Sequence, residues 1–415
     1  MLELFPLSAR AENGELTLGG VAASQLAAEY GTPLVVYCEE TIRAQARAYA
    51  AAAPDALVVY GTKAFQNITL LRILAVEGDG ADVSTLGELA VAHAAGIAGD
   101  RILFHGNNKS DDELRGAAEA GATVVLDAPD EPARAAAAGV RRALVRLTPG
   151  VEAVTHQSIQ TAHDESKFGL AADPALAAIA EARSLGIDVV GVHFHVGSQL
   201  ARVDESLVAV ERLAAFCERA RAELDWTPAV LDIGGGLGIR YTRDEHVPEI
   251  EEFVGPLVRR LHERWPHPVQ VVLEPGRSLV GRAGVTLYRV GVLKDSGGVR
   301  YAAIDGGMSD NPRPQLYGAR YEALLANRAD ELPDGVFRVA GKHCESGDVL
   351  IDAAELPHPR RGDLLAVPAT GAYTLTMGSN YNSVPRPAVV LVSDGDARVI
   401  RRRESVDDLL RYDER

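Results

Sequence analysis

From residue 57 onward, short runs of apolar and β-branched residues recur between alanine-rich segments whose polar residues fall at helical spacing. Eight such runs are present: Leu57 to Tyr60, Ala81 to Val83, Ile102 to Phe104, Thr123 to Leu126, Ala143 to Leu147, Val189 to Phe194, Ala229 to Ile233 and Val269 to Leu273. Eight βα repeats predict an α/β architecture of the TIM-barrel type. In that fold the groups that do chemistry collect just after each strand, at the C-terminal mouth, because the βα loops converge there while side chains fill the interior. The positions after the eight runs therefore form a shortlist before any motif is considered. They are Lys63, Ser84, His105, Asp127, Thr148 with Pro149, His195 to Ser198, Gly234 to Gly236, and Glu274 to Arg277.

After Arg277 the texture changes. The segments VTLYRVGVLKD, VRYAAIDGG, GVFRVAG, DLLAVPATG and AVVLVSDGDARVI are strand-like and punctuated by Gly and Pro, with one helical stretch near Tyr321 to Asn327. This predicts a β domain. The first thirty or so residues, with strand-like Glu15 to Leu18, precede the first repeat and are expected to pack onto that domain. The chain thus divides into a barrel over 33–278 and a second domain built from 1–32 and 279–415.

Length agrees with two domains, since 415 residues exceed what one hydrophobic core supports. With 42 basic and 58 acidic residues the formal net charge is -16, which argues against a nucleic-acid or anionic-membrane surface. The first residues, MLELFPLSARAENGEL, lack a basic region followed by an apolar core, and no run approaches the roughly 20 apolar residues that cross a bilayer. A cytoplasmic location is expected. Cys38, Cys217 and Cys344 are odd in number and far apart, so each is expected as a free thiol.

Chemistry enters through four short segments of the barrel. LDIGGGLGI ends the seventh run with three glycines, where backbone N–H groups can approach an anion, or where a tight turn is simply needed. A phosphate site after strands seven and eight is frequent in this fold, which favours the first reading. VVLEPGRS follows, holding Glu274 and Arg277 at the mouth around Pro275 and Gly276; an arginine fork suits phosphate or carboxylate. GVHFHVGSQ places His193 and His195 on one face of the sixth strand; with His105 they could form a metal triad, but the reading preferred for such a pair is that His193 is a hydrogen-bonded interior residue and only His195 reaches the pocket. Lys63, at the end of LVVYGTKAF, is either a solvated strand-end lysine or a buried amine with nucleophilic character toward a carbonyl. A phosphate-bearing aldehyde cofactor would use a lysine, a phosphate cradle and a carboxylate for a ring nitrogen, and Glu274 fits the last role. In the β domain, DGGMSDNPRPQLYG, HCESGDVL and ATGAYTLTMGSNYN stand out, and Cys344 beside Glu345 and Asp348 is placed to exchange a proton.

Taken in order, GTKAF, HFHVGSQ, DIGGGLG, EPGR, HCESGD and TGAY resemble the diaminopimelate decarboxylases, fold-type III pyridoxal-phosphate enzymes, over nearly the whole chain. The resemblance implies a TIM barrel followed by a β-barrel domain that the N-terminal segment joins. It further implies a homodimer whose active sites are shared across the interface, and conversion of meso-2,6-diaminopimelate to L-lysine and carbon dioxide. By position, Lys63 matches the lysine that carries the cofactor and His195 the residue stacking on its ring. Ser198 and Gly234, Gly235 and Gly236 match the phosphate site, with Pro275, Gly276 and Arg277 beside it. Glu274 matches the partner of the pyridine nitrogen, Cys344 the proton donor contributed by a neighbouring subunit, and Tyr373 a contact to cofactor and substrate. Recognition of the far end of the substrate falls to Arg277, Arg313, Tyr317 and Glu345. A decarboxylase of ornithine or lysine has no distal carboxylate to bind, so Arg313 and Glu345 argue against it. The stretch HDESKFG (163–169) resembles the family's mobile loop. Gly61 and Thr62 stand before Lys63 where many relatives carry an alanine and a larger residue. Two readings compete: a metal-dependent barrel hydrolase built on His105, His193 and His195, for which acidic ligands are not evident, and a cofactor-binding relative without catalysis.

Overall fold

The computed structural model describes residues 1–148, 150 and 166–414. They form two compact units, one of 45–238 with 247–278, the other of 1–44, 239–246 and 279–415.

The first unit is a closed barrel of eight parallel strands: Leu57–Gly61, Gly80–Val83, Ile102–Phe104, Thr123–Leu126, Arg142–Arg146, Asp188–His193, Val230–Asp232 and Gln270–Leu273. Each lies within about a residue of its expected position. Val59, Leu103, Val125, Leu144, Val190, Val230 and Val272 form one apolar cluster, each from a different strand, so the barrel interior is packed and binding chemistry is confined to its ends. Helices after the strands begin on side-chain caps. Asn67 accepts from Thr69 and Leu70 N–H, Thr85 from Glu88 N–H, and Ser110 forms a capping box with Glu113.

Several shortlisted residues prove to be braces. Ser84 donates from its backbone and hydroxyl to Glu88, at 2.7 and 2.9 Å. Asp127 pairs with Arg146 at 3.3 Å and accepts the Gly169 N–H at 2.8 Å; Thr148 donates to the Phe168 carbonyl at 2.7 Å. Lys109 is fully buried, 2.9 Å from Glu131, and donates to the Gly106 and Val125 carbonyls, so its charge is matched inside the wall of the unit. Pro149 and positions 163–165 of the loop-like stretch lie outside the described residues.

The second unit contains a small N-terminal sheet, with Glu15–Leu18 between Arg10–Glu12 and Val21–Ala22, and a nine-stranded mixed sheet. Strands of the large sheet follow the order Val349–Leu356, Gly335–Ala340, Val299–Ile304, Gly284–Ser296, Leu34–Cys38, Ala388–Ser393 and Asp396–Arg401. Leu364–Val367 pairs with Gly284–Ser296 and with Leu324–Leu325. The N-terminal residues join this unit as expected: Phe5, Leu16, Leu18 and Leu26 share one core with Val285, Leu287 and Val390.

Three expectations are corrected. The boundary at residue 33 moves to 44, because LVVYC (34–38), buried throughout, pairs with 284–287 on one side and 388–392 on the other. Residues 239–246 also leave the barrel for the β unit, where Ile239 and Tyr241 enter its second core. Finally, no α-helix forms over 321–327; the only helical turn there is the 3-10 turn Ala326–Arg328. Tyr321, Ala323 and Leu325 alternate inward with period two, and Leu324 and Leu325 pair with Ala366 and Leu365. The strand Val349–Leu356, which follows the HCESGD segment, was not anticipated. Cys38 and Cys217 are buried free thiols, and Cys344 is an exposed one. Among the described residues no helix is long and apolar enough to cross a membrane.

Candidate active site

The first barrel strand ends in a single 3-10 turn, Thr62–Ala64, that presents Lys63. Thr62 is buried and donates to the Asp82 carbonyl at 2.8 Å, which fixes the turn against the second strand. A small hydroxyl residue there is therefore used. Lys63 Nζ lies 3.0 Å from Asp82 Oδ2; the lysine side chain is 55% exposed while the aspartate is buried. Lys63 is thus an accessible amine tethered to a fixed carboxylate.

At the ends of the third, sixth, seventh and eighth strands, four buried side chains converge: His105, His193, Asp232 and Glu274, each with a ligand-capable atom within 4.8 Å of the others. The Glu274 oxygens are shared out, Oε1 at 2.7 Å from His105 Nε2 and Oε2 at 3.1 Å from His193 Nε2. Burial pushes the Glu274 carboxyl upward, but the electrostatic pull of His105 and His193, and after it their hydrogen bonds, outweigh it and hold the group well below the usual carboxylate range. Asp232 is pushed well above its ordinary value, by burial first and by Glu274 next. Of the two acids, Glu274 is therefore the one whose anion the site favours, and Asp232 the one whose anion it opposes. His195 is also held well below its ordinary value, through burial and then the Lys63 charge, so it stays neutral near pH 7.

His193 carries a pH dependence of its own. Burial lowers it to about 4 against the pull of Glu274, so it is neutral near pH 7, hydrogen-bonded to Glu274 at 3.1 Å. Between an unfolded value near 6.5 and about 4, the folded chain binds fewer protons than the unfolded chain, so stability is full above that window and falls as pH drops through it. The expected loss is ~3 kcal/mol on crossing the whole window. Urea unfolding at a series of pH values should show the decline, and His193→Asn, which does not titrate, should flatten it.

The glycine turn after Asp232 is shaped by close approaches. Gly234 has φ +66° and a Cβ there would meet the Phe194 carbonyl at 2.5 Å; at Gly235 it would meet the Glu274 carbonyl at 2.2 Å, and at Gly236, φ +105°, the Gly197 carbonyl at 2.5 Å. Asp232 Oδ1 accepts the Gly234 N–H at 2.9 Å, so one buried acid ties the turn to the Glu274 cluster. Arg277 donates to Ser198 Oγ at 3.0 Å, placing a guanidinium and a hydroxyl together. Gly276 follows Pro275, whose carbonyl accepts the Gly61 N–H at 3.0 Å.

In the β unit, Arg313 opens a short helix, Arg313–Tyr317, and is 5% exposed. Gln315 of the same helix donates to the Gly347 and Val349 carbonyls at 3.0 and 2.9 Å, joining this helix to the HCESGD turn. Within that turn Cys344 and Glu345 are exposed, above a buried anchor. Asp348 accepts His343 Nδ1 at 2.6 Å, His343 N–H at 3.0 Å and Met308 N–H at 2.8 Å, and a Cβ on Gly341 would sit 2.0 Å from its Oδ2. Cys344 N–H donates to Asn382 Oδ1 at 2.8 Å. Tyr317 Oη is 4.0 Å from Met377 Sδ, and Tyr373 adopts φ +57°, unusual for a non-glycine residue.

The barrel residues named from the sequence are thus brought together, with one change of grouping. His193 is the buried, hydrogen-bonded interior residue expected, and the rival metal triad does not form: His105 and His193 meet, with Asp232 and Glu274 supplying the acids that seemed absent, while His195 is not among the four. Asp82 and Asp232 were missed. Both lie inside the strands, as polar residues interrupting GADV and VLDI, rather than after them.

The chain matches the family described as pyridoxal-dependent decarboxylase, pyridoxal binding domain, over residues 39–281. It is 43% identical over 418 residues to diaminopimelate decarboxylase of Halalkalibacterium halodurans, covering 96% of this chain and 95% of that one. Identity to the Bacillus subtilis diaminopimelate decarboxylase is 42%, covering 99% and 98%. Among solved structures, diaminopimelate decarboxylase from M. jannaschii in co-complex with L-lysine superposes with a TM-score of 0.92 at 31% identity, covering 98% of both chains. A lysine/ornithine decarboxylase from Vibrio vulnificus, complexed with putrescine, gives 0.78 at 26% identity, covering 89% of this chain and 97% of that one. On coverage and identity together, the chain belongs to the pyridoxal-dependent decarboxylases, within the diaminopimelate decarboxylase family.

Proposed function

We propose that this protein decarboxylates meso-2,6-diaminopimelate to L-lysine and carbon dioxide, with pyridoxal 5'-phosphate as cofactor. The observation that carries the reading is the full-length similarity to diaminopimelate decarboxylases, whose named chemistry suits the residues found here. The barrel cluster fits the cofactor in charge and shape. It offers an accessible amine in Lys63, an ionised buried carboxylate in Glu274 and a glycine turn open to close backbone approach.

When bound, pyridoxal phosphate supplies a conjugated ring that accepts the electron pair left as carbon dioxide departs. Lys63 Nζ would hold the cofactor aldehyde, with Asp82 Oδ2 beside it at 3.0 Å to accept the proton of its ammonium. Gly234, Gly235 and Gly236, with Ser198 and Arg277, hold the phosphate, and Pro275 and Gly276 shape the turn that carries Arg277. Glu274, its carboxylate fixed by His105 and His193, would hold a proton on the ring nitrogen, and neutral His195 would pack against the ring. Tyr373 orients cofactor and substrate. Arg313 and Arg277 bind the substrate's far carboxylate and Glu345 its far ammonium, with Tyr317 between them in role. Cys344 Sγ would donate the proton that takes the place of the departing carboxylate. The exposed turn that carries Cys344 is suited to serve a second copy, and we take the working enzyme to be a cytoplasmic homodimer with shared sites.

A substrate panel tests the specificity. The kcat/KM for meso-diaminopimelate should exceed those for lysine, ornithine and arginine by about a thousandfold or more, because each of those lacks the charge pattern that Arg313 and Glu345 would read. Comparable turnover of ornithine or lysine would move the protein to another branch of the family.

A further inference from the structure

Arg313 is a buried cation with no anion to balance it. Among the described residues no carboxylate lies within ion-pairing distance of its guanidinium. Its neighbours are aromatic: the guanidinium carbon lies 4.2 Å from the centre of the Tyr241 ring and 5.6 Å from that of Tyr321. Nη1 donates to Tyr321 Oη at 2.5 Å, and Nε is buried without a partner. The two rings hold each other edge to face, with centres 5.4 Å apart and planes at 80°. Both tyrosines are 3% exposed and belong to the core that includes Tyr288, Val339 and Leu356.

Burying an unpaired charge is costly, and two aromatic faces return only part of that cost. An arrangement left short of a counter-ion is suited to receive one, and the single bond at Nη1 leaves the rest of the fork without an anionic partner among the described residues. We propose that Tyr241 and Tyr321 are positioning residues for substrate specificity. They clamp Arg313 in a desolvated, uncompensated state that only a ligand carboxylate completes. Tyr321 fixes the rotation of the fork through its hydroxyl, and Tyr241 supports the cation with its ring face. The inference rests on the role given to Arg313 above.

Two ligands that differ in one carboxylate provide the readout. L-lysine carries an α-carboxylate, and cadaverine is the same diamine without it. The ratio of their inhibition constants on the cofactor-loaded enzyme therefore reports the carboxylate alone, and a general loss of structure moves both together. Tyr321→Phe and Tyr241→Leu should each reduce the lysine preference about tenfold, while Tyr241→Phe, which keeps the ring face, should hold it within about twofold. An unchanged preference in Tyr321→Phe and Tyr241→Leu, or equal weakening of both ligands, overturns the proposal. Arg313→Gln separates the two levels of the argument. If it abolishes the preference while the tyrosine variants do not, only the clamp is wrong; if it too leaves the preference intact, the role of Arg313 falls with it.

Discussion

Replacing Lys63 by alanine is expected to remove nearly all turnover, about 10⁴-fold or more, the scale seen when an enzyme loses the group that does its covalent chemistry. The same change should abolish the visible absorbance that borohydride discharges in the wild-type protein. The expectation follows from geometry as well as type. Lys63 stands on a turn pinned by Thr62 and is tethered 3.0 Å from Asp82, yet more than half of its side chain remains accessible. Because the amine also balances the buried Asp82 carboxylate, the variant should unfold at a lower temperature than the parent while keeping its far-ultraviolet circular dichroism at 25 °C. Normal turnover in Lys63→Ala would make the lysine a strand-end charge and nothing more.

Cys344→Ala should slow turnover by about a hundredfold, the usual scale for a lost acid-base group, while leaving the cofactor absorbance intact. Its thiol sits on an exposed turn whose shape is set below it by Asp348 and His343, so removal of the sulfur takes away chemistry and leaves the scaffold. Mixing the inactive Lys63 and Cys344 variants provides a second readout. If one subunit supplies the lysine and the other the cysteine, subunit exchange rebuilds some intact sites and restores part of the activity. No recovery after demonstrated exchange would count against the shared site, and an unchanged rate in Cys344→Ala would move the proton donor elsewhere.

The barrel was legible because its strands are short, buried on both faces and regularly spaced, so each reads as a compact apolar run between helices. The run LVVYC at 34–38 has the same texture and was not resolved from it. Its place depends on pairing with 284–287 and 388–392, which local pattern does not report. Tyr321 to Asn327 read as helical from composition, whereas burial of every second residue decides it. Within the site, the residues after strands were found by position, and Lys63, His105, Glu274 and the glycines all came from that shortlist. Asp82 and Asp232 escaped because they sit inside strands, one at the third position of GADV and the other at the end of VLD. The Arg313 environment was beyond reach for a different reason. Tyr241 and Tyr321 are distant in sequence from each other, and the segment holding Tyr241 belongs to the β unit although barrel sequence surrounds it.

The most direct test of the central claim is to incubate the purified, cofactor-loaded protein with meso-diaminopimelate and measure carbon dioxide and L-lysine together. The account predicts that both appear, in equal amounts, and that no second carbon dioxide follows from the lysine formed. Absence of carbon dioxide from a protein that has bound its cofactor, or its continued release with cadaverine accumulating, would contradict it.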